Sequence, residues 1–194
     1  MITFNINHHW NYFLAIEKDL ENLSRYIEFA KENLEVYSIE LTRILLSTSS
    51  EVDVIMKQLC KLLEPDREAK NINDYRTTIQ NNLHSFINEE VIIDRYGLSF
   101  KPWESWVGTE NPDWWKSYNN VKHERNSYYL EANLENTINA VGALLVTTIY
   151  YYKYYFSNEA NTVLNMKDVT SKLNPEASFM KINANYYKFN LVCS

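Results

Sequence analysis

Apolar residues recur three and four positions apart from Trp10 to about Phe29, at Phe13, Leu14, Ile16, Leu20, Leu23 and Ile27. In an α-helix such positions share one side, so the spacing predicts an amphipathic surface helix with Glu17, Lys18, Asp19 and Glu21 on its polar face. A second helical pattern runs from about Leu34 to Leu63 and passes through the polar stretch "STSSEVD". Ser50 followed three residues later by Asp53 has the form of a helix start, so one kinked helix and two successive helices both fit. Pro65 ends the pattern. Residues 72–90 predict a third helix with Ile72, Ile79, Leu83, Phe86 and Ile87 as its inner stripe.

The stretch "VIIDRYGLSFKPWESWVGTENPD" holds two of the three glycines and two of the four prolines. It reads as a loop with a short strand at Val91–Ile93. Asp113 is a suitable N-cap for a helix beginning "WWKSYNNVK". A last strong helix covers about Ala132 to Phe156. Beyond it, "SFMKINANYYKFNLV" alternates about Asn-Ala-Asn, which predicts a short hairpin on the bundle; a tail ordered only when bound is the other reading.

With 194 residues but only 3 Gly and 4 Pro, the chain suits long helices better than a many-turned sheet. The expectation is all-α: a bundle of about four to five helices with a small C-terminal hairpin or irregular tail. Residues 1–157 form the bundle and residues 158–194 an appendage. A net charge of −6 disfavours non-specific polyanion binding, so any nucleic-acid contact needs a local basic patch. Cys60 and Cys193 fit no metal or redox spacing and read as reduced thiols of a cytoplasmic protein. The N-terminal "MITFNINHHWNYF" lacks a secretory pattern. The uncharged run 136–152 is near the short limit for a membrane span and is diluted by Asn136, Asn139, Thr147 and Thr148, so it reads as a core helix, with no membrane association.

Most standard chemistries lack their residues. There is no glycine-rich phosphate loop and no nucleophile elbow. His8, His9, His84 and His123 have no ligand partners at metal-binding spacing, and no Glu-x-x-His pair occurs, so neither a metal nor a cofactor is expected. Glu40, Ser47 and Glu51 fall on one stripe of a straight helix beside apolar positions. Glu40 and Glu51 read as supporting carboxylates, ion-paired with Lys122, Arg125 or Lys57, with a catalytic role as the alternative.

The segment "WWKSYNNVKHERN" carries the chain's main chemical candidates. On a helix from Asp113, Lys116, Asn119 and His123 lie at i, i+3 and i+7, with Lys122 and Arg125 flanking them. An imidazole titrating near neutrality can move the proton of a ribose 2′-hydroxyl, while cations offset charge growing on the phosphate. In that reading His123, Lys116 and Asn119 are catalytic, with Asn119 orienting the imidazole, and Lys122 and Arg125 hold phosphate. The structural alternative has His123 and Asn119 capping a helix end. Trp103, Trp106, Trp114 and Trp115 either staple a loop to the bundle or line a base-stacking cleft. The run "YYYKYYF", residues 150–156, covers too many helix faces for one core stripe, so some of its tyrosines face a partner, the tail hairpin or solvent, and a homodimer through that helix is expected.

The helical layout, together with "YNNVKHERN" followed by a long apolar helix, resembles the HEPN superfamily over about residues 10–156. The resemblance implies a small helical bundle of prokaryotic defence and toxin systems. In such dimers an arginine, four to six residues and a histidine form a metal-independent RNase site. Lys116 stands at the edge of the arginine window before His123, and Arg76 is separated from His84 by seven residues. Relatives without the arginine bind nucleotides or partner proteins. Two functions follow as expectations: an RNA-directed protein, as RNase or as RNA or nucleotide binder, and a non-enzymatic helical module for a protein partner.

Overall fold

The computed structural model describes residues 7–187. Among them are six α-helices: α1 (His8–Leu23), α2 (Ile39–Leu63), α3 (Ile72–Asn82), α4 (Asp113–Tyr128), α5 (Leu134–Glu159) and α6 (Met166–Lys172). Three short strands, β1 (Val91–Ile93), β2 (Leu98–Phe100) and β3 (Lys181–Ile182), form an antiparallel sheet in the order β2-β1-β3. The helix-dominated class is the one predicted. No helix among the described residues is long and apolar enough to cross a membrane.

Helix α5 is the axis of the bundle. Its uncharged run from Asn136 to Tyr152 is buried apart from half-buried Asn136 and Asn139, because α1, α2 and α4 pack around it. Gly142 lets it approach the sheet: a Cβ there would lie 2.6 Å from Phe100 Cε2 and 3.3 Å from Val91 Cγ2. Helix α2 is continuous through "STSSEVD". Val52, Ile55, Met56 and Leu59 extend the buried stripe of Leu41, Ile44 and Leu45 across that stretch, so core packing carries the helix past the local start signal. Its real start is Ser38, whose hydroxyl accepts the Leu41 N–H at 3.1 Å.

Several boundaries differ from the sequence expectation. Helix α1 stops at Leu23, where the Ser24 hydroxyl donates to the Glu21 carbonyl. Helix α3 stops at Asn82, whose side-chain amide turns back onto the Thr78 carbonyl and out to Glu64, a competing bond of the kind that ends helices. Leu83, Phe86 and Ile87 are still buried, delivered by a 3-10 turn over Phe86–Asn88. Pro112, with extended backbone, takes the N-cap position of α4 and makes Asp113 the first helical residue.

The four tryptophans are buried, which is the staple arrangement. Trp114 Nε1 donates to the Pro102 carbonyl at 2.9 Å, and the Trp103 and Trp106 rings lie 4.2 Å apart. They fasten the 101–112 loop to α5 and leave no stacking cleft between them.

The described part of the tail packs on the bundle. Lys181 and Ile182 pair with β1, as Ile92↔Lys181 and Val91↔Ile182, and the Asn-Ala-Asn region is a 3-10 turn over Ala184–Tyr186. The second arm of the predicted hairpin, 188–192, and Cys193 lie outside the described residues. Glu17, expected on the solvent face of α1, is only 3% exposed. It sits four residues after Phe13 and three before Leu20, on the margin of the apolar stripe, and the tail covers it. Its carboxylate accepts the backbone N–H groups of Ser178, Phe179 and Met180 at 3.2, 2.9 and 2.8 Å. Burial pushes its pKa above the ordinary carboxylate value against the pull of those bonds.

A second buried carboxylate, Glu89, accepts the hydroxyls of Tyr150 at 2.6 Å and Tyr186 at 2.8 Å. Burial first, then this carboxylate, pushes the Tyr186 phenol up to about 12. The tyrosines of α5 therefore meet the chain's own α1 and tail. Tyr150, Tyr151 and Tyr152 are buried, and only Tyr154 and Tyr155 are partly open. The surface from which a dimer through α5 was expected is thus largely occupied within the chain.

Candidate functional site

Helix α4 keeps regular geometry through His123, so Lys116, Asn119 and His123 do lie along one side of it. At Glu124 the backbone leaves the helix (φ −136°, ψ 54°) and the chain changes direction. Arg125, Asn126 and Tyr129 are thereby laid against α2, and the five candidates face different surroundings.

His123 is exposed and has no hydrogen-bond partner among the described residues, so it caps no helix end. Asn119 donates to the Trp115 carbonyl at 2.9 Å and does not orient the imidazole. Lys116 is held by Asp113 at 3.1 Å and Glu110 at 3.6 Å. The bond to Asp113, then the charge of both carboxylates, raises the pKa of its ammonium group. Lys122 lies over the Tyr118 ring, 5.2 Å from its centroid, with the phenol oxygen 3.2 Å away. It borders a cleft of about 310 Å³ with Asn119, Lys70, Asn71 and Asp53.

The supporting carboxylates have partners other than those expected. Glu40 accepts from Arg43 Nε at 2.9 Å, and the same guanidinium reaches Asp19 at 2.8 Å. Lys57 pairs with Asp53 one turn earlier. Glu51 accepts from His9 Nδ1 at 2.6 Å, while His9 Nε2 lies 3.4 Å from Gln58 Oε1 and the ring meets Tyr151 edge-on at 5.2 Å. Among the described residues none of Lys122, Arg125 or Lys57 pairs with Glu40 or Glu51. His9 was missed as a partner, although it lies four residues before Phe13 on the apolar stripe of α1 and so points at the bundle.

A concavity of about 780 Å³ is a groove between α2 and the segment after the break in α4. Ile39, Thr42, Arg43, Leu46 and Ser47, at i, i+3, i+4, i+7 and i+8 of α2, form one wall. Arg125, Asn126 and Tyr129 form the other. Ile39 is 76% exposed and Leu130, beside the far wall, 62%. Tyr37 and Tyr129 meet edge-to-face at 5.4 Å across one end. No carboxylate among the described residues lines the groove. Arg43 is paired, whereas Arg125 has no carboxylate partner among the described residues. Sequence reasoning named Arg125 and Ser47 but not their meeting, since the break in α4 has neither proline nor glycine to announce it. Comparison with protein-family models, curated proteins and solved structures returns no match to this chain.

Proposed function

We propose that this chain is a non-enzymatic helical interaction module whose contact surface is the groove between α2 and the post-break segment of α4. The observation that carries the reading is the exposed apolar rim, Ile39 above all, around this concavity of about 780 Å³. A well-capped helix start has no need of an open isoleucine, and contiguous exposed apolar surface costs solubility unless something covers it. The test is a photo-crosslinking amino acid placed at Ile39 and, as control, at Val163, another exposed apolar position. Discrete adducts at position 39 that are missing at 163 are expected in the native host. The same adducts at both positions would reject the surface.

An RNA-directed, HEPN-like role is the second reading. It is favoured by the open imidazole of His123 and the solvent-facing Lys122 and Arg125, groups that a polyanion can reach. Against catalysis within one copy stand the neutralised Lys116 and the divergence of Arg125. Metal-free RNA degradation lost in His123→Ala would favour this role, and no activity in either protein would favour the module.

A further inference from the structure

Resting on the interaction-module reading, we infer that the groove takes an acidic amphipathic helix of a partner protein. The α2 wall from Ile39 to Ser47 is about 12 Å long, two helical turns. Arg125, Asn126 and Tyr129 line the other side, and a hollow of that length suits helix-in-groove recognition, where anchors at i, i+3 or i+4 and i+7 fill an apolar trough. Ile39, Leu46 and Tyr129 supply that trough.

Charge then selects the occupant. Glu40 and Asp19 hold Arg43, so Arg125 is the lining cation left without a carboxylate partner among the described residues. A wholly apolar partner would strip water from Arg125 and leave the guanidinium uncompensated, which is costly. A basic partner would repel it. A phosphate backbone would answer Arg125 but leave the apolar floor unfilled. A helix with an apolar stripe flanked by Glu or Asp satisfies both features, because a carboxylate opposite Arg125 accepts its paired N–H groups.

The probe is a displayed library of short helices with leucine at the anchor positions and the flanking positions randomised among Glu, Lys and Gln. The baits are the full chain and its Ile39→Ser and Arg125→Glu variants, both changed at exposed positions and checked for unchanged melting temperature. Glu should be enriched over Lys at least tenfold at one flank with the unaltered chain. That preference should reverse with Arg125→Glu, and binders should vanish with Ile39→Ser. Binders that need Ile39 but ignore the sign of the flank would overturn the acidic partner alone. Binders indifferent to Ile39, or no binders at all, would overturn both this inference and the groove reading beneath it. A dimer by sedimentation that Ile39→Ser abolishes would make a second copy the occupant and also overturn the acidic helix.

Discussion

The carboxylate of Glu17 accepts the backbone N–H of Met180 at 2.8 Å, joining residues 163 positions apart. With the bonds from Ser178 and Phe179, it ties the C-terminal segment to the first helix through one side chain.

Glu17 gives the fold a pH dependence of definite sign. Its folded pKa is raised, so the proton-bound form is the one folding favours. That contribution is fully present below the unfolded carboxylate pKa and is lost as pH rises through the folded value. Relative to Glu17→Gln, which does not titrate, the natural chain should lose stability as pH climbs through the carboxylate range, and the gap should then level off. Urea midpoints of both proteins from pH 4 to 8 measure this, and parallel curves would refute it.

Gly142→Ala sets two effects against each other. Alanine improves helix propensity by about 1 kcal/mol, whereas overpacking a core contact costs about 1–3 kcal/mol. The 2.6 Å approach to the Phe100 ring, with fully buried Val91 beside it, lets the clash win. A net loss of about 1 kcal/mol in urea denaturation is expected, and it should shrink when Phe100→Leu is added.

His9 and Glu51 clasp the start of α1 to the middle of α2. Removing one partner leaves the other part-buried and unmatched, so His9→Ala and Glu51→Gln should each cost about 1–2 kcal/mol. The double variant should lose less than the sum. Full additivity would mean that the 2.6 Å contact contributes nothing to stability.

Burial pushes the Cys60 thiol up to about 12, so little thiolate exists near neutrality. In a Cys193→Ser background, thiol-reactive dye at pH 8 should leave the folded protein unlabelled and react once denaturant is added. Fast labelling of the folded form would contradict the burial.

Local periodicity made the bundle legible. Ile72, Ile79, Leu83, Phe86 and Ile87 are buried as their spacing predicts, even where the helix carrying them gives way to a 3-10 turn. Tertiary covering was not legible in the same way. Glu17 reads as solvent-facing until residues 178–180 lie across it, and nothing in the local pattern of β3 names β1 as its partner. In the candidate site, helical spacing correctly aligned Lys116, Asn119 and His123. The departure at Glu124, which no residue type marks, sent Arg125 to another groove.

The placement of β3 bears on what a shortened chain would expose. A chain cut before residue 178 bares both the Glu17 carboxylate and the open side of β1. Such an edge invites foreign strands. Residues 178–182 thus separate covered molecules from adhesive fragments, and their removal should be felt as aggregation before it is felt as lost binding.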